Sequence, residues 1–444
     1  MEDIFDILSE VTGITKYSNA EVITPAWVVK DMVDLLPPEV FNKDSRFLDP
    51  AVKSGRFLAE IYRRLMYSDA MKQAFPDKRD RHEHIIHNQL YGFATSATAA
   101  TIVRKQLYNN PTELGNIQFT GDKDIVKEIR GAFENMKFDV VIGNPPYNND
   151  IYLDFVTLGH NLASQYTCMI TPARWQAKGG KKNEDFRKNI VPYMSNVVYF
   201  PDERDIFSIS IPGGVSYFLV DKVKHRYKHV KSSCSFNDAF EFDNPHKDSE
   251  NTQLFYDNHV LSIVNKCSAN RYISATVNLK QSEYVSNTDH GEPFGDVEVM
   301  DGETFGGYKN HNELKTDRDL DKYKLLIHIM PGGSAYFDKD GKVLGMKDTY
   351  IIGPNQVPNG HYPCMYVSND RETLEYLRSY FRTKLIRFLY FLAISATTLS
   401  SEFFRFIPQP DRLDHIFTDQ ELYQKYGLTD DEIAIIESVI KERK

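Results

Sequence analysis

The chain predicts a doubly wound, mostly parallel α/β sheet of about seven strands over residues 45–220, followed by a second, mixed α+β domain. Three observations carry this. Short apolar, β-branched runs alternate with stretches of helical periodicity throughout 45–220. Several of these runs end in an acid, a glycine or a Pro-Pro pair, as strands do where a ligand crevice opens at their carboxyl ends. Past Lys222 the rhythm stops, and residues 225–360 are rich in Asn, Asp, Gly, His and Ser with no internal repeat. A chain of 444 residues is expected to hold two domains, so the boundary is placed near 225, dividing 1–224 from 225–444.

The elements follow in order. Thr24-Pro25 reads as a helix start with Pro in the first turn; Val28, Met32, Leu35 and Leu36 share one face, and Pro37-Pro38 stops it. Phe47-Leu48-Asp49 ends a strand, a small-residue turn runs to Gly55, and Phe57 to Met66 has helical periodicity. Strand, tight loop and helix together bring a helix N-terminus up to a ligand. The dinucleotide glycine fingerprint is absent, and an acid at the strand end is wrong for cradling pyrophosphate. It suits a ligand with hydroxyls and a positive charge, such as an amino acid or nucleoside.

Leu90 to Phe93 is a second strand before a helix from Ser96 to Tyr108, and Ile117 to Asp122 is a third strand ending in an acid. Phe138 to Ile142 is the fourth. After Gly143 comes Asn144-Pro145-Pro146-Tyr147, whose prolines forbid both ladder bonding and a helical start. An amide and an aromatic ring are thus held on a stiff turn at a strand's carboxyl end. Ile151 to Leu162 is helical, and Cys168–Pro172, Val197–Phe200 and Val215–Val220 complete the sheet. The tail reads as a helix from Glu372 to Ser395, then two helices signed by capping boxes, Thr418-x-x-Glu421 and Thr429-x-x-Glu432.

Composition excludes several classes. The net charge of −9 argues against an indiscriminate coat on nucleic acid, though not against a local basic cleft. Four scattered cysteines without C-x-x-C spacing support neither a zinc site nor a disulfide framework, and point to a reducing cytoplasm. The acidic start MEDIFDILSE is not that of a signal peptide, and Leu385 to Ala396 is interrupted by Arg387 and too short for a bilayer. Neither a metal nor a membrane is expected. Two basic stretches could meet phosphates: Arg174, Lys178, Lys181, Lys182, Arg187 and Lys188, and then Lys222, Lys224, Arg226, Lys228 and Lys231 with His225 and His229. The ordinary reading of such runs is a solvated face.

The order Thr24-Pro25, Leu48-Asp49-Pro50-Ala51-x-x-Ser54-Gly55, Gly121-Asp122, Asn144-Pro145-Pro146-Tyr147 resembles class-gamma N6-adenine DNA methyltransferases of type II restriction–modification systems, which carry a C-terminal target recognition domain. The resemblance covers residues 20–220. It extends weakly to Tyr380-x-x-Thr383-Lys384-x-x-Arg387-Phe388 and to Leu422-Tyr423-Gln424-Lys425-Tyr426-Gly427-Leu428.

It implies a Rossmann-like methyltransferase sheet in 1–224 and a DNA-recognition domain with a helical tail in 225–444. The implied reaction moves a methyl group from S-adenosyl-L-methionine to the N6 amine of an adenine flipped out of double-stranded DNA. The implied partners are that DNA and a separate cognate restriction endonuclease. Asn144, Pro145, Pro146 and Tyr147 would be catalytic. Tyr147 and Phe207 would stack on the base, with Tyr217 the alternative to Phe207. Thr24, Pro25, Asp49, Pro50, Ala51, Gly55, Asp122 and Asn144 would line the cofactor pocket. Arg174, Lys178, Lys181, Lys182, Lys224, Arg226 and Lys228 would meet DNA.

The chemistry fits these residue types. Adenine's exocyclic amine is a poor nucleophile because its lone pair is conjugated into the ring. Two acceptors aimed at its hydrogens, the Asn144 side-chain oxygen and the Pro145 carbonyl, would favour a pyramidal nitrogen and act most strongly in the transition state. Two departures stand out. Val52-Lys53 replaces the usual Cys-Gly, and the ribose-binding acid after the second strand is replaced by Ala94, followed by Thr95 and Ser96. Two other readings stay open: methylation of a protein glutamine or an RNA amine, and a catalytically silent, methylase-shaped DNA-binding subunit.

Overall fold

The computed structural model of the chain describes residues 23–121, 124–176, 178–209, 211–223, 229–234, 237–243, 258–286, 291–330, 338, 340–395 and 398–443. They fall into two compact units, Met1–Gln176 with Gly180–Tyr256, and Asp257–Lys444 with Ala177–Gly179.

The first unit carries α1 (Ala26–Asp34), β1 (Phe47–Val52), α2 (Arg56–Tyr67), β2 (Leu90–Ala94), α3 (Ala97–Tyr108), β3 (Ile117–Gln118), α4 (Ile125–Ala132) and β4 (Phe138–Gly143). It continues through α5 (Ile151–Leu162), β5 (Ala163–Pro172), α6 (Lys181–Asn189), β6 (Met194–Phe200), β7 (Val215–Asp221), β8 (His229–Cys234) and β9 (Asn237–Asp243). The strands form one sheet in the order β3-β2-β1-β4-β5-β7-β6-β8-β9. The doubly wound, mostly parallel sheet expected from the sequence is present. Among the first seven strands only β7 runs antiparallel to its neighbours, β5 and β6. The hairpin β8–β9 widens the sheet at the β6 edge, and β3 shrinks to two residues.

The apolar runs behave as buried parallel strands should, covered on both faces. Val28 and Met32 of α1, Leu58 and Ile61 of α2 and Val103 of α3 pack on one face. Ile129 of α4, Tyr152, Phe155 and Val156 of α5 and Phe186 of α6 pack on the other.

The strand order reverses at β1. The chain moves outward through β2 and β3, then crosses back to β4 on β1's other side. β1 and β4 are in register only at Phe47↔Val140 and Leu48↔Val141. Beyond them β1 follows β2, ending at Val52↔Ala94. The two strands therefore part at their carboxyl ends, at the switch point where open α/β sheets place ligands.

The second unit holds two three-stranded sheets. One has the order β11 (Thr304–Lys309), β10 (Val297–Asp301), β14 (Gln356–Pro358); the other has β13 (Thr349–Ile352), β12 (Tyr323–Ile327), β15 (Cys364–Ser368). Its helices are α7 (Asn258–Lys266), α8 (Arg371–Arg382), α9 (Lys384–Ala393), α10 (Asp419–Lys425) and α11 (Asp430–Val439). The single helix expected from 372 to 395 breaks at Thr383, which is extended (ψ 149°) and whose Oγ1 donates to the Tyr380 carbonyl at 2.8 Å. The Thr429–Glu432 capping box is complete. Thr418 accepts from the Glu421 N–H at 3.3 Å, but the Glu421 carboxylate goes to His415 Nε2 at 2.7 Å rather than back to the cap. Among the described residues no helix is long and apolar enough to cross a membrane.

Arg387, which interrupts the apolar run, is 1% exposed. Its Nε donates to the Arg382 carbonyl at 3.0 Å, and Nη1 donates to the carbonyls of Leu344 at 2.9 Å and Lys441 at 3.0 Å. Burial lowers its pKa to about 10. The residue is a structural cross-tie. Arg387→Leu removes the donor to three carbonyls, and should cost about 3 kcal/mol or more in urea unfolding, at about 1–3 kcal/mol per orphaned group. An unchanged midpoint would mean the carbonyls find other donors.

Candidate active site

The crevice between β1 and β4 collects the residues that the sequence singles out. Gly143 ends β4, and a Cβ there would lie 2.6 Å from Asp49 Oδ1, so the Asp49 carboxylate occupies the space a side chain would need. Asp49 is 2% exposed, and its Oδ1 accepts the Ala51 N–H at 2.9 Å. Burial pushes its pKa up to about 7, against the pull of that N–H and of the Lys53 charge.

Asn144, 3% exposed, donates from Nδ2 to Thr24 Oγ1 at 3.0 Å. That bond ties the amide to the residue before the α1 cap. Thr24 was expected to open α1, but Pro25 is the N-cap residue, and the Thr24 hydroxyl serves Asn144 instead. The Thr24 carbonyl accepts from Arg56 Nη1 at 2.8 Å, tying the entry of α1 to the first residue of α2. Gly55 enters α2 with φ 78°, and a Cβ there would meet Gln106 Oε1 at 2.8 Å and Val103 Cγ2 at 3.0 Å, both on α3. Thr24, Asp49, Ala51, Lys53, Gly55 and Asn144 line one small cavity of about 20 Å³. Pro25 and Pro50, expected with them, are not among the residues that line it.

In the turn, Pro145 is buried, and Pro146 and Tyr147 are half-buried. The Tyr147 hydroxyl is buried with no hydrogen-bond partner among the described residues, and burial holds its phenol well above the usual range. The Phe207 ring lies 6.4 Å from the Tyr147 ring at 67°, edge to face. The two rings touch each other and do not present parallel faces. Tyr217, the alternative, packs on Phe200 at 6.1 Å.

The basic residues sort differently from the sequence expectation. Arg174 is committed to the protein's own turn. Its Nε pairs with Asp150 Oδ1 at 2.9 Å, Nη2 donates to the Tyr147 carbonyl at 3.1 Å, and the guanidinium sits 5.6 Å over the Tyr152 ring. Arg187 is 3% exposed and donates to the Trp175 carbonyl at 2.6 Å. Lys222 donates to the carbonyls of His160 and Ala163 at 2.8 and 2.7 Å. Lys181 and Lys182 are exposed and pair with Asp185 at 3.0 Å and Asp154 at 2.7 Å, while Lys178 is half-buried. Asp122, Lys224, Arg226 and Lys228 lie outside the described residues.

At the end of β2, where a ribose-binding acid was expected, the polar groups serve the fold. Ala94 is fully buried in the core, Ser96 Oγ caps α3 by accepting the Ala99 N–H at 3.1 Å, and Thr95 donates from N and Oγ1 to the Val52 carbonyl at 3.1 and 3.4 Å. At about 20 Å³ the cavity has room for about one water molecule, far less than the ~300–1,000 Å³ of a typical ligand pocket. Sequence reasoning missed Arg56 and Asp150. For Asp150 a signal existed: the run Asn148-Asn149-Asp150 is of the residue types that tolerate left-handed backbone, and Asn149 and Asp150 adopt φ 51° and 56°.

Residues 1–187 match the profile of a protein family described as N-6 DNA Methylase. The matched span holds Asp49, Gly55 and the Asn144–Tyr147 turn, and it ends within α6. An uncharacterized adenine-specific methylase of Mycoplasma pneumoniae is 26% identical, over 46% of this chain and 68% of that protein. Among solved structures, the EcoKI M protein of a type I restriction enzyme is similar over 52% of this chain and 53% of its own, at 16% identity and a TM-score of 0.37. The ATP-dependent type ISP restriction–modification enzyme LlaBIII bound to DNA is similar over 87% of this chain and 39% of its own, at 12% identity and a TM-score of 0.46. The chain spans about half the length of the modification subunits it matches.

Asp49 makes the ligand-free protein sensitive to pH. Its folded pKa is raised, so the native state holds a proton that the unfolded chain has released. Stability contributed at this site is present at pH 4 and falls as pH rises to about 7, by at most roughly 4 kcal/mol. Asp49→Asn should therefore gain on the wild type across that window in urea unfolding. Parallel pH profiles would show that Asp49 is solvated.

Proposed function

We propose that this protein transfers a methyl group from S-adenosyl-L-methionine to the N6 amine of an adenine in double-stranded DNA, as the modification enzyme of a restriction–modification system. The observation that carries the reading is the buried Asn144 amide at the switch point, oriented by Thr24 and set beside Asp49. The N-6 DNA methylase match over 1–187 and the adenine-specific methylase relative support it.

Thr24, Asp49, Ala51 and Gly55 would hold the cofactor's amino-acid end, with Asp49 ionised opposite its ammonium group. The bound cofactor supplies an electrophilic methyl on a sulfonium. Asn144 donates to Thr24 through nitrogen, so its oxygen is the end that accepts from the adenine amine. The Pro145 carbonyl accepts the second amine hydrogen. Together they favour a pyramidal nitrogen whose lone pair faces the methyl, a stabilisation that grows toward the transition state.

Reaching that amine requires the base to leave the helix. Tyr147, braced edge-on by Phe207, offers one stacking face, worth ~1–3 kcal/mol. Lys181 and Lys182 would exchange Asp185 and Asp154 for phosphate oxygens. The residues beyond 224 would read the target sequence. A second reading, a DNA-binding subunit without transfer, draws on Ala94, Thr95 and Ser96, whose groups serve the fold.

The roles of Asn144 and Tyr147 separate cleanly. Asn144→Ala should lower transfer of labelled methyl to DNA by ~10²–10³-fold while DNA binding survives. Tyr147→Ala should weaken capture of the extruded base as well, so that 2-aminopurine at the target brightens relative to the wild-type complex. Transfer at the wild-type rate by Asn144→Ala would remove the catalytic assignment.

A further inference from the structure

We propose that Arg174 and Asp150 are positioning residues that hold the turn after Asn144-Pro145-Pro146-Tyr147 in the geometry needed for transfer; this rests on the function proposed above.

The turn does not hold itself. Neither Pro145 nor Pro146 has a backbone N–H to give to a neighbouring strand. Three residues later the chain passes through two successive left-handed positions, Asn149 (φ 51°) and Asp150 (φ 56°), before α5 begins at Ile151. Asn and Asp accept that region more readily than other side chains, but two such positions in succession are held by partners outside the segment. Arg174 is such a partner. It stands in the short 3₁₀ turn Ala173–Gln176 after β5, the strand next to β4. From there one guanidinium reaches both ends of that segment: Nη2 donates to the Tyr147 carbonyl, and Nε lies 2.9 Å from Asp150 Oδ1 as an ion pair, out of line for a hydrogen bond. The Tyr152 ring beneath, 5.6 Å away, adds a cation–π contact and is itself fully buried in α5.

The pair is poorly exposed, 18% for the Arg174 side chain and 15% for Asp150, so solvent screens it less than an ordinary surface ion pair. Arginine suits the task because its fork serves two acceptors at fixed spacing, which a lysine point charge does not. The direct mechanical consequence falls on Tyr147, whose carbonyl is clamped and whose ring is the proposed stacking face.

The test uses the full-length protein, labelled cofactor, and genomic DNA from a methylation-free bacterial host as methyl acceptor. Arg174→Ala and Asp150→Asn are compared with the wild type, with Arg174→Lys and with the double variant. Asparagine at 150 tolerates the same backbone, so only the charge is removed. We expect kcat to fall about 10–100-fold in each single variant, the scale of a small misplacement at a reacting centre. KM for DNA and the salt slope of binding to a random duplex should be unchanged. The double variant should be no worse than Arg174→Ala, as for partners in one interaction, and Arg174→Lys should recover part of the loss. Amides of residues 147–151 should exchange hydrogen faster in Arg174→Ala while the sheet strands stay protected. A salt slope reduced by about one unit in Arg174→Ala, with Asp150→Asn transferring normally, would overturn the proposal and assign Arg174 to a phosphate. Unchanged kcat and unchanged exchange would overturn it too. If the wild type methylates no DNA, the functional reading fails and exchange alone decides: faster exchange at 147–151 supports the clamp, and equal exchange rejects it.

Discussion

The structure turns on the parting of β1 and β4. They share two registered positions and then diverge, because β1 continues along β2 while β4 ends at a glycine and two prolines. Thr24, Asp49, Ala51, Gly55 and Asn144 line the space that opens. Asp49 and Asn144 enter it from the two strand ends, and Gly143 is a glycine because the Asp49 carboxylate stands where a side chain would be. The crevice is thus a consequence of strand order, and the chemistry is placed by which residues happen to end the two strands.

Burying so many polar groups is unfavourable unless each finds a partner. The protein meets this with contacts between segments far apart in sequence. Asn144 and Thr24 share a hydrogen bond across 120 positions, and Arg56 holds the Thr24 carbonyl from the start of α2. Arg174 reaches back to Tyr147 and Asp150 from the far side of β5. In the second unit Arg387 does the same for three carbonyls. These ties fix backbone turns that propensity alone would leave free, at the cost of making each arginine unavailable to an outside ligand.

That cost explains what was and was not legible in the sequence. The sheet was legible because strands buried on both faces read as largely apolar runs, as Phe138–Ile142 of parallel β4 and Val215–Val220 of antiparallel β7 do. The hairpin β8–β9 was not, because a polar edge such as His229–Cys234 carries no such signal. Asp49, Gly55 and Asn144, which line one cavity, stood out in the sequence because a strand end, a tight turn and a Pro-Pro turn each constrain residue type. Arg174, Arg187 and Lys222 were misplaced because a positive charge in a sequence says nothing of its burial, and their partners are backbone carbonyls, which every residue has. Thr24 looked like a helix cap because its true partner, Asn144, is remote. The split at Thr383 turns on a single extended residue between two helical patterns.

The claim at the centre is that the crevice methylates an amine of DNA. The most direct measurement is to express the protein in a methylation-free bacterial host and sequence the host DNA with modification detection, alongside mass analysis of host protein and RNA. The account predicts N6-methyladenine at one fixed sequence context, and none in cells carrying an Asn144→Ala variant. Unmodified DNA together with a methylated glutamine in a host protein, or a methylated base in RNA, would contradict it.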